Sequence, residues 1–229
     1  MSHSNASITT LAAVLWDFDG TLADTEPLWV AAEFELINSL GGSWSNEHAE
    51  QLVGNSLVDS GAYILDVIGR HDLTPEWVVD QLVTRVARAL GTQPIPWRPG
   101  ALDLLKSLGA AGVPCALVSA SYRVLLDAAL SQLPAGTFQT SVAGDEVTHG
   151  KPHPEPYETA CRLLGVDANE CVVIEDSPTG AASGNAARAF VLAVPNLVAI
   201  PNAPRRLSVG SLTELDAESV ARLLEDADD

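Results

Sequence analysis

Lysine is almost missing from this chain: of 229 residues, only Lys106 and Lys151 carry an ammonium side chain. Lys and Arg together number 12 against 30 Asp and Glu, leaving a formal net charge of -18. General binding to DNA, RNA or anionic membrane needs clustered cations, so a nucleic-acid or membrane-surface role is excluded. Cysteine is scarce as well. Cys115, Cys161 and Cys171 are odd in number, form no CxxC pair and each sit in an apolar stretch. They read as buried thiols, not as a disulfide framework or a zinc site, and nothing here requires an oxidising compartment. No apolar run approaches the length of a membrane span. The segment Met1 to Thr10 lacks the basic start of a signal peptide. A cytoplasmic protein is expected.

What is present is a core-forming composition, with 47% hydrophobic residues. The length suits one large domain or a core with a smaller inserted unit. Short apolar runs recur at Ala12 to Trp16, Pro114 to Val118, Cys171 to Ile174 and Ala189 to Val194. Runs of this length bounded by polar turns suit buried strands. Helical patterns separate them at Ala101 to Leu108, Tyr122 to Leu130, Glu155 to Leu164 and Pro178 to Ala187, with a final amphipathic helix at Asp216 to Leu224. Strand alternating with helix predicts an α/β protein with a Rossmann-like parallel sheet covered on both faces.

The interval between the first two strands is too long for a single crossover and reads as helices only. Glu26 to Leu40 places Val30, Phe34 and Ile37 on one face, and Leu57 to Ile68 is a second helix. Thr74-Pro75 opens a third, with an N-cap followed by proline at the first helical position, and carries Val78, Leu82 and Val86 as a stripe. The expected organisation is a core of residues 8–23 and 98–229 with an all-helical cap domain, 24–97, inserted into it. Hinges are expected near Ala23 to Thr25 and Ile95 to Arg98.

In open parallel sheets, ligands sit beyond the carboxyl ends of the strands. Three of the predicted strands end there in polar groups: Asp17-Phe18-Asp19-Gly20-Thr21, Ser119-Ala120-Ser121 and Glu175-Asp176-Ser177. Asp17 and Asp19 are two residues apart, which in extended chain points both the same way. Carboxylates so close repel unless a cation lies between them or one holds a proton. Asp176 adds another hard oxygen, and oxygen-only ligation suits Mg²⁺.

At this point the residues resemble a known family. Asp17-Phe18-Asp19-Gly20-Thr21-Leu22 is similar to the first motif of the haloacid dehalogenase superfamily, Ser119 to the second, Lys151 in Gly150-Lys151-Pro152 to the third and Glu175-Asp176 to the fourth. They occur in the family's order along almost the whole chain. The insertion after the first motif resembles the helical cap of the β-phosphoglucomutase-like branch. Asp24-Thr25-Glu26-Pro27-Leu28-Trp29 and Lys151-Pro152-His153-Pro154 are especially similar to its sugar and hexitol phosphate phosphatases.

The resemblance implies a Mg²⁺-dependent phosphatase acting on a small-molecule phosphate ester. Asp17 would be the nucleophile and form an aspartyl-phosphate; Asp19 would be the acid and then the base. The ion would be held by Asp17, the Asp19 carbonyl and Asp176, with Glu175 holding its waters or the metal itself. Ser119, Ala120 and neighbouring backbone N–H groups at the next helix's start would grip phosphoryl oxygens, and Lys151 would neutralise charge. Thr21 would support the first loop. Ser119 also reads as a plain helix N-cap, and His149 and His153 as local hydrogen-bonding groups.

Other reactions of the superfamily fit less well. Family dehalogenases lack the second aspartate, present here as Asp19. Phosphonatases need a cap lysine, and none occurs between Asp24 and Trp97. The sugar phosphomutase needs basic residues in its cap loop, where Val53 and Leu57 stand, and a histidine where Trp29 stands. Asn55, Ser56 and Trp29 are the candidates to contact the rest of a sugar or polyol substrate. The alternatives are the mutase and, in another class, a noncatalytic phosphometabolite-binding protein. A monomer or weak homo-oligomer is expected.

Overall fold

The computed structural model describes residues 11–52 and 56–227. Residues 8–10 of the expected core, Val53 and Asn55 of the cap loop, and the final two residues lie outside them. Six strands form one parallel sheet in the order β3-β2-β1-β4-β5-β6. They are β1 (Ala13–Trp16), β2 (Cys115–Val118), β3 (Thr140–Val142), β4 (Cys171–Glu175), β5 (Phe190–Ala193) and β6 (Arg206–Ser208). Every residue of β1, β2, β4 and β5 is buried, as continuous apolar strands covered on both faces must be. The two edge strands were not among those expected. Each has three residues, and they are largely uncovered and partly polar, so they carry no apolar run to read.

Alternation along the strands divides the core into two layers. Val14, Trp16, Leu117 and Ile174 pack with α5 (Ala101–Ala110), α6 (Arg123–Leu130) and α9 (Ala217–Asp226). Ala13, Leu15, Ala116 and Val173 pack on the other side against α7 (Glu155–Leu164) and α8 (Pro178–Ala186). Small strand residues on this second face let α7 approach closely enough to seat Tyr157, which is fully buried.

Between β1 and α5 the described residues form four helices: α1 (Glu26–Ser39), α2 (Asn46–Glu50), α3 (Leu57–Ile68) and α4 (Pro75–Thr92). Short α2, capped by the Ser45 side chain, was not expected. Thr74 caps α4 through the Trp77 N–H, and the stripe Val78, Leu82, Val86 is buried as its spacing requires. Each such side chain contributes about 1.5–3 kcal/mol on burial. The face of α1 differs from the expectation. Ala32, Glu33, Leu36 and Ile37 are buried, whereas Val30 and Phe34 are only partly covered. An acidic residue on the inner stripe weakens the apolar periodicity and mis-sets its phase.

The loop after β1 is tightly folded. The Phe18 carbonyl accepts the N–H groups of Leu22 (3.0 Å) and Ala23 (3.1 Å). The two linkers to the helical insert then pair with each other: Asp24 N–H donates to the Pro96 carbonyl at 2.8 Å, and Arg98 N–H to the Leu22 carbonyl at 2.9 Å. The expected hinge segments are thus neighbours in space. Alongside them, Gln132 at the end of α6 donates to the carbonyls of Leu90 and Gln93.

Candidate active site

The crevice of this sheet opens at the carboxyl ends of β1 and β4, where strand order reverses. Asp17 continues β1, its N–H donating to the Ile174 carbonyl at 3.0 Å, and its side chain is buried. Lys151 reaches it from the loop before α7, with Nζ 2.7 Å from Asp17 Oδ1, 2.7 Å from Glu175 Oε1 and 3.0 Å from the Val118 carbonyl. The ammonium also lies 4.9 Å from the centre of the Tyr157 ring. Of the two lysines in the chain, this one spends all three donors on the site.

Glu175 is fully buried, and both its oxygens are engaged. Oε1 accepts from Lys151 and from the Tyr157 hydroxyl at 2.8 Å; Oε2 accepts the Ser177 N–H (3.3 Å) and hydroxyl (3.1 Å). Asp176 accepts the Thr21 hydroxyl at 3.3 Å, so Thr21 does support the cluster. Two glycines are dictated by this crowding. A Cβ on Gly20, whose φ is +84°, would lie 2.1 Å from Asp176 Oδ2, and one on Gly180 would overlap the Glu175 carboxylate.

Asp19 turns to the other side of the loop. Its Oδ1 accepts the Thr25 hydroxyl at 2.6 Å, and its Oδ2 accepts the hydroxyls of Ser121 (2.7 Å) and Ser119 (3.1 Å). Ser119 is not a helix cap: α6 begins after Tyr122, and the Ser119 oxygen instead accepts the Ser121 N–H at 2.9 Å. The first N–H of α6 is also spoken for, since Arg123 N–H donates to Asp145 at 2.8 Å.

One ammonium faces three buried or half-buried carboxylates, and the electrostatics follow. Burial, then the Glu175 charge, hold Asp17 well above the ordinary carboxylate range, with Lys151 opposing them. Burial and Glu175 likewise push Asp176 up to about 7. Burial alone would favour neutral Lys151, but Asp17 and Glu175 outweigh it and hold the ammonium charged. Asp17, Glu175 and Asp176 each offer an oxygen, all within 4.8 Å of one another. Such crowding is relieved by a cation, and an all-oxygen donor set fits a hard divalent one.

The cluster forms the floor of a cavity of about 760 Å³, with Ala120 on its wall and the helical insert as its roof. Trp29 and Ser56 line that roof. The Ser56 hydroxyl is committed to capping α3, donating to Asp59 at 2.6 Å and accepting its N–H at 3.1 Å. Asn55 lies outside the described residues. His149 and His153 stand apart from the cavity on the surface, with ring centres 4.6 Å apart and planes inclined at 31°. His149 bonds Glu155 at 2.8 Å, and these three form a second, exposed group of metal-capable atoms.

Sequence reasoning passed over Ser121, Thr25, Ser177 and Tyr157. Ser121 and Ser177 belong to the strand-end clusters already singled out, and Thr25 to the segment that opens α1, so a hydroxyl count along those stretches would have found them. Tyr157 gave no signal, because it occupies an apolar-stripe position of α7.

The order of the parallel sheet places a carboxylate–lysine cluster at its carboxyl edge, beneath the helical insert. Residues 14–194 match the model of the haloacid dehalogenase-like hydrolases, and the chain belongs to that family. It is 30% identical over 223 residues to hexitol phosphatase B of Escherichia coli (strain K12), covering 92% of this chain and 96% of the relative. It is 32% identical over 201 residues to the bifunctional riboflavin kinase/FMN phosphatase of Arabidopsis thaliana, covering 86% of this chain and 52% of that protein. The chain thus spans about half the length of the plant protein. Among solved structures, CbbY from Rhodobacter sphaeroides in complex with phosphate aligns with a TM-score of 0.75 at 27% identity, covering 89% of this chain and 96% of that one. A family hydrolase from Deinococcus radiodurans R1 with bound phosphate and sodium aligns at 0.67 and 31% identity, covering 93% and 97%. Among the described residues no helix is long and apolar enough to cross a membrane.

Proposed function

We propose that this enzyme hydrolyses the phosphate monoester of a small sugar or polyol, with Asp17 as the nucleophile. One observation carries the reading. Asp17 lines the cavity with one oxygen clamped by Lys151, while its other oxygen accepts no hydrogen bond from the described residues. A carboxylate held in one orientation with a free lone pair is prepared for attack on phosphorus.

Asp17 attacks, the bond from phosphorus to the ester oxygen breaks, and Asp19 gives its proton to the departing alkoxide. Asp19 then takes a proton from water as that water attacks the aspartyl-phosphate, releasing phosphate and restoring Asp17. Thr25, Ser119 and Ser121 hold Asp19 for both transfers. Lys151 stabilises negative charge shared by Asp17 and the phosphoryl oxygens. Glu175 keeps Lys151 in place from below.

The donor set fits Mg²⁺. Because the oxygens of Glu175 are already taken, Asp17, Asp176 and the Asp19 carbonyl are the groups that would hold it. When bound, the ion would supply charge neutralisation and help align phosphate with Asp17. Residues 24–97 would act as a cap, opening on the paired linkers to admit substrate and closing to exclude water.

Hydrolysis is favoured over phosphate transfer by the roof. Lys151, on the floor, is the sole cation lining the described cavity, while Glu26 and Glu33 face it from α1. A second phosphate would meet only negative charge there. Homologues named for hexitols and for validoxylamine A 7'-phosphate support a hydroxylated substrate.

The test is phosphate release from a panel of sugar, polyol, glycolate and nucleotide monophosphates, with Mg²⁺ or with EDTA. Metal-dependent release is expected, and Asp17→Asn should lower kcat by about 10³-fold or more while the protein stays folded. Substantial turnover by that variant would remove Asp17 from its role. An isomerised sugar phosphate among the products would replace hydrolysis with transfer.

A further inference from the structure

The roof of the cavity contains a buried acid that the reaction does not use. Glu33 lies on the same stripe of α1 as Trp29 and Glu26, one and two helical turns on, and all three line the cavity. It is 5% exposed, and Oε2 accepts the Trp44 indole N–H at 3.1 Å. Oε1 has no hydrogen-bond partner among the described residues. On α3, Ser60 is 6% exposed and also lines the cavity, and its hydroxyl has no hydrogen-bond partner among the described residues. Neither group is sealed from the cavity, since neither is among the buried polar atoms lacking a partner. The surrounding wall is apolar, formed by Trp29, Leu52, Leu57 and Leu82.

Burying a carboxyl group with one neutral donor is costly unless its remaining capacity is met. Here the unmet capacity of both groups faces the space into which a substrate's body must project. Burial pushes Glu33 up to about 7 and the Trp44 N–H only partly offsets this. In either protonation state the group pairs with hydroxyls, and it repels a second anion when ionised.

We propose that Glu33, assisted by Ser60, is the group that reads the hydroxyls of a neutral polyol chain carried on the phosphate. The carbon face of that chain would lie along Trp29 and the leucines. The assignment rests on the phosphatase reading of the same cavity and narrows its substrate class: hydroxylated, uncharged beyond the phosphate, and long enough to reach α1.

Comparison of sorbitol 6-phosphate with hexyl phosphate, a chain of similar reach without hydroxyls, tests it. For the wild type, kcat/KM should favour the polyol ester by about 10²-fold or more. Glu33→Gln, which keeps an acceptor for Trp44, should cost about tenfold on the polyol ester, and Glu33→Met about 10²-fold. Hexyl phosphate, which offers Glu33 no hydroxyl, should lose at least about threefold less than the polyol ester in either variant, with thermal melting confirming a folded protein. Equal losses on both esters would make Glu33 a packing residue, and no loss on either would remove it from recognition. Calorimetric binding of both esters to Asp17→Asn protein, with and without Glu33→Met, reads the subsite without turnover. Should the wild type hydrolyse nothing, the phosphatase reading fails, yet selective loss of sorbitol 6-phosphate binding would still uphold Glu33. Equal binding with and without that substitution would end the proposal.

Discussion

The floor and the roof of the cavity are built on opposite plans. On the floor, Glu175 alone receives four hydrogen bonds from three residues, and Asp19 receives three from three hydroxyls. On the roof, Glu33 receives a single bond, from Trp44. Over-determined groups keep one geometry whatever the ligand, which is what in-line attack on phosphorus demands. Under-satisfied groups wait for a partner. Under the proposed function the contrast would divide the labour, with the sheet edge setting the reaction and the helices choosing the molecule that undergoes it.

The hardest blow to the floor should come from Lys151→Met. It leaves Asp17 and Glu175 facing each other without their shared ammonium. Stability should fall by about 3–5 kcal/mol, as for other broken buried pairs, and kcat by about 10²–10³-fold, measured by urea unfolding and phosphate release. A stable, active variant would show that the floor is not over-determined at all. Tyr157→Phe probes the same network more gently. Losing one hydrogen bond to a buried carboxylate should cost about 1–3 kcal/mol. Lys151 should be held less firmly, and kcat should fall about tenfold with KM nearly unchanged. An effect on KM alone would move Tyr157 from the floor's architecture to substrate contact.

The two regions also differ in how far the sequence revealed them. Floor residues follow apolar strands directly, so Asp17, Asp19, Ser119, Glu175 and Asp176 announce themselves at run ends, and Lys151 stands out because lysine is so rare. The four central strands were legible because burial on both faces makes them continuous apolar runs, whereas β3 and β6 at the edges are short and half-covered. The roof is encoded in helical phase instead. An acid on the buried stripe of α1 reads as surface, so Glu33 went unnoticed, and the face drawn through Val30, Phe34 and Ile37 is buried at Ile37 but only partly covered at Val30 and Phe34. Tyr157 shows the converse: a polar tip on an apolar ring is indistinguishable from packing until its hydroxyl finds Glu175.

The smallest expected effect is the part of the pH dependence of stability that belongs to Glu33 on the roof. Comparing a Glu33 variant with the wild type separates it from the contributions of Asp17 and Asp176 on the floor, which are also raised. Unfolded, Glu33 titrates near its ordinary value of 4.5; in the folded protein it is pushed up to about 7. The native state therefore holds the proton more tightly, and its contribution to stability is fully present below about pH 4.5 and is lost as pH rises through about 7. The loss should be on the order of 1–2 kcal/mol once solvent access from the cavity is allowed for. Glu33→Gln cannot ionise, so urea unfolding at about pH 5 and about pH 8 should show the variant gaining on the wild type by that amount. A constant offset between the two proteins would mean that Glu33 is already solvated on the roof, and the contrast with the floor would disappear.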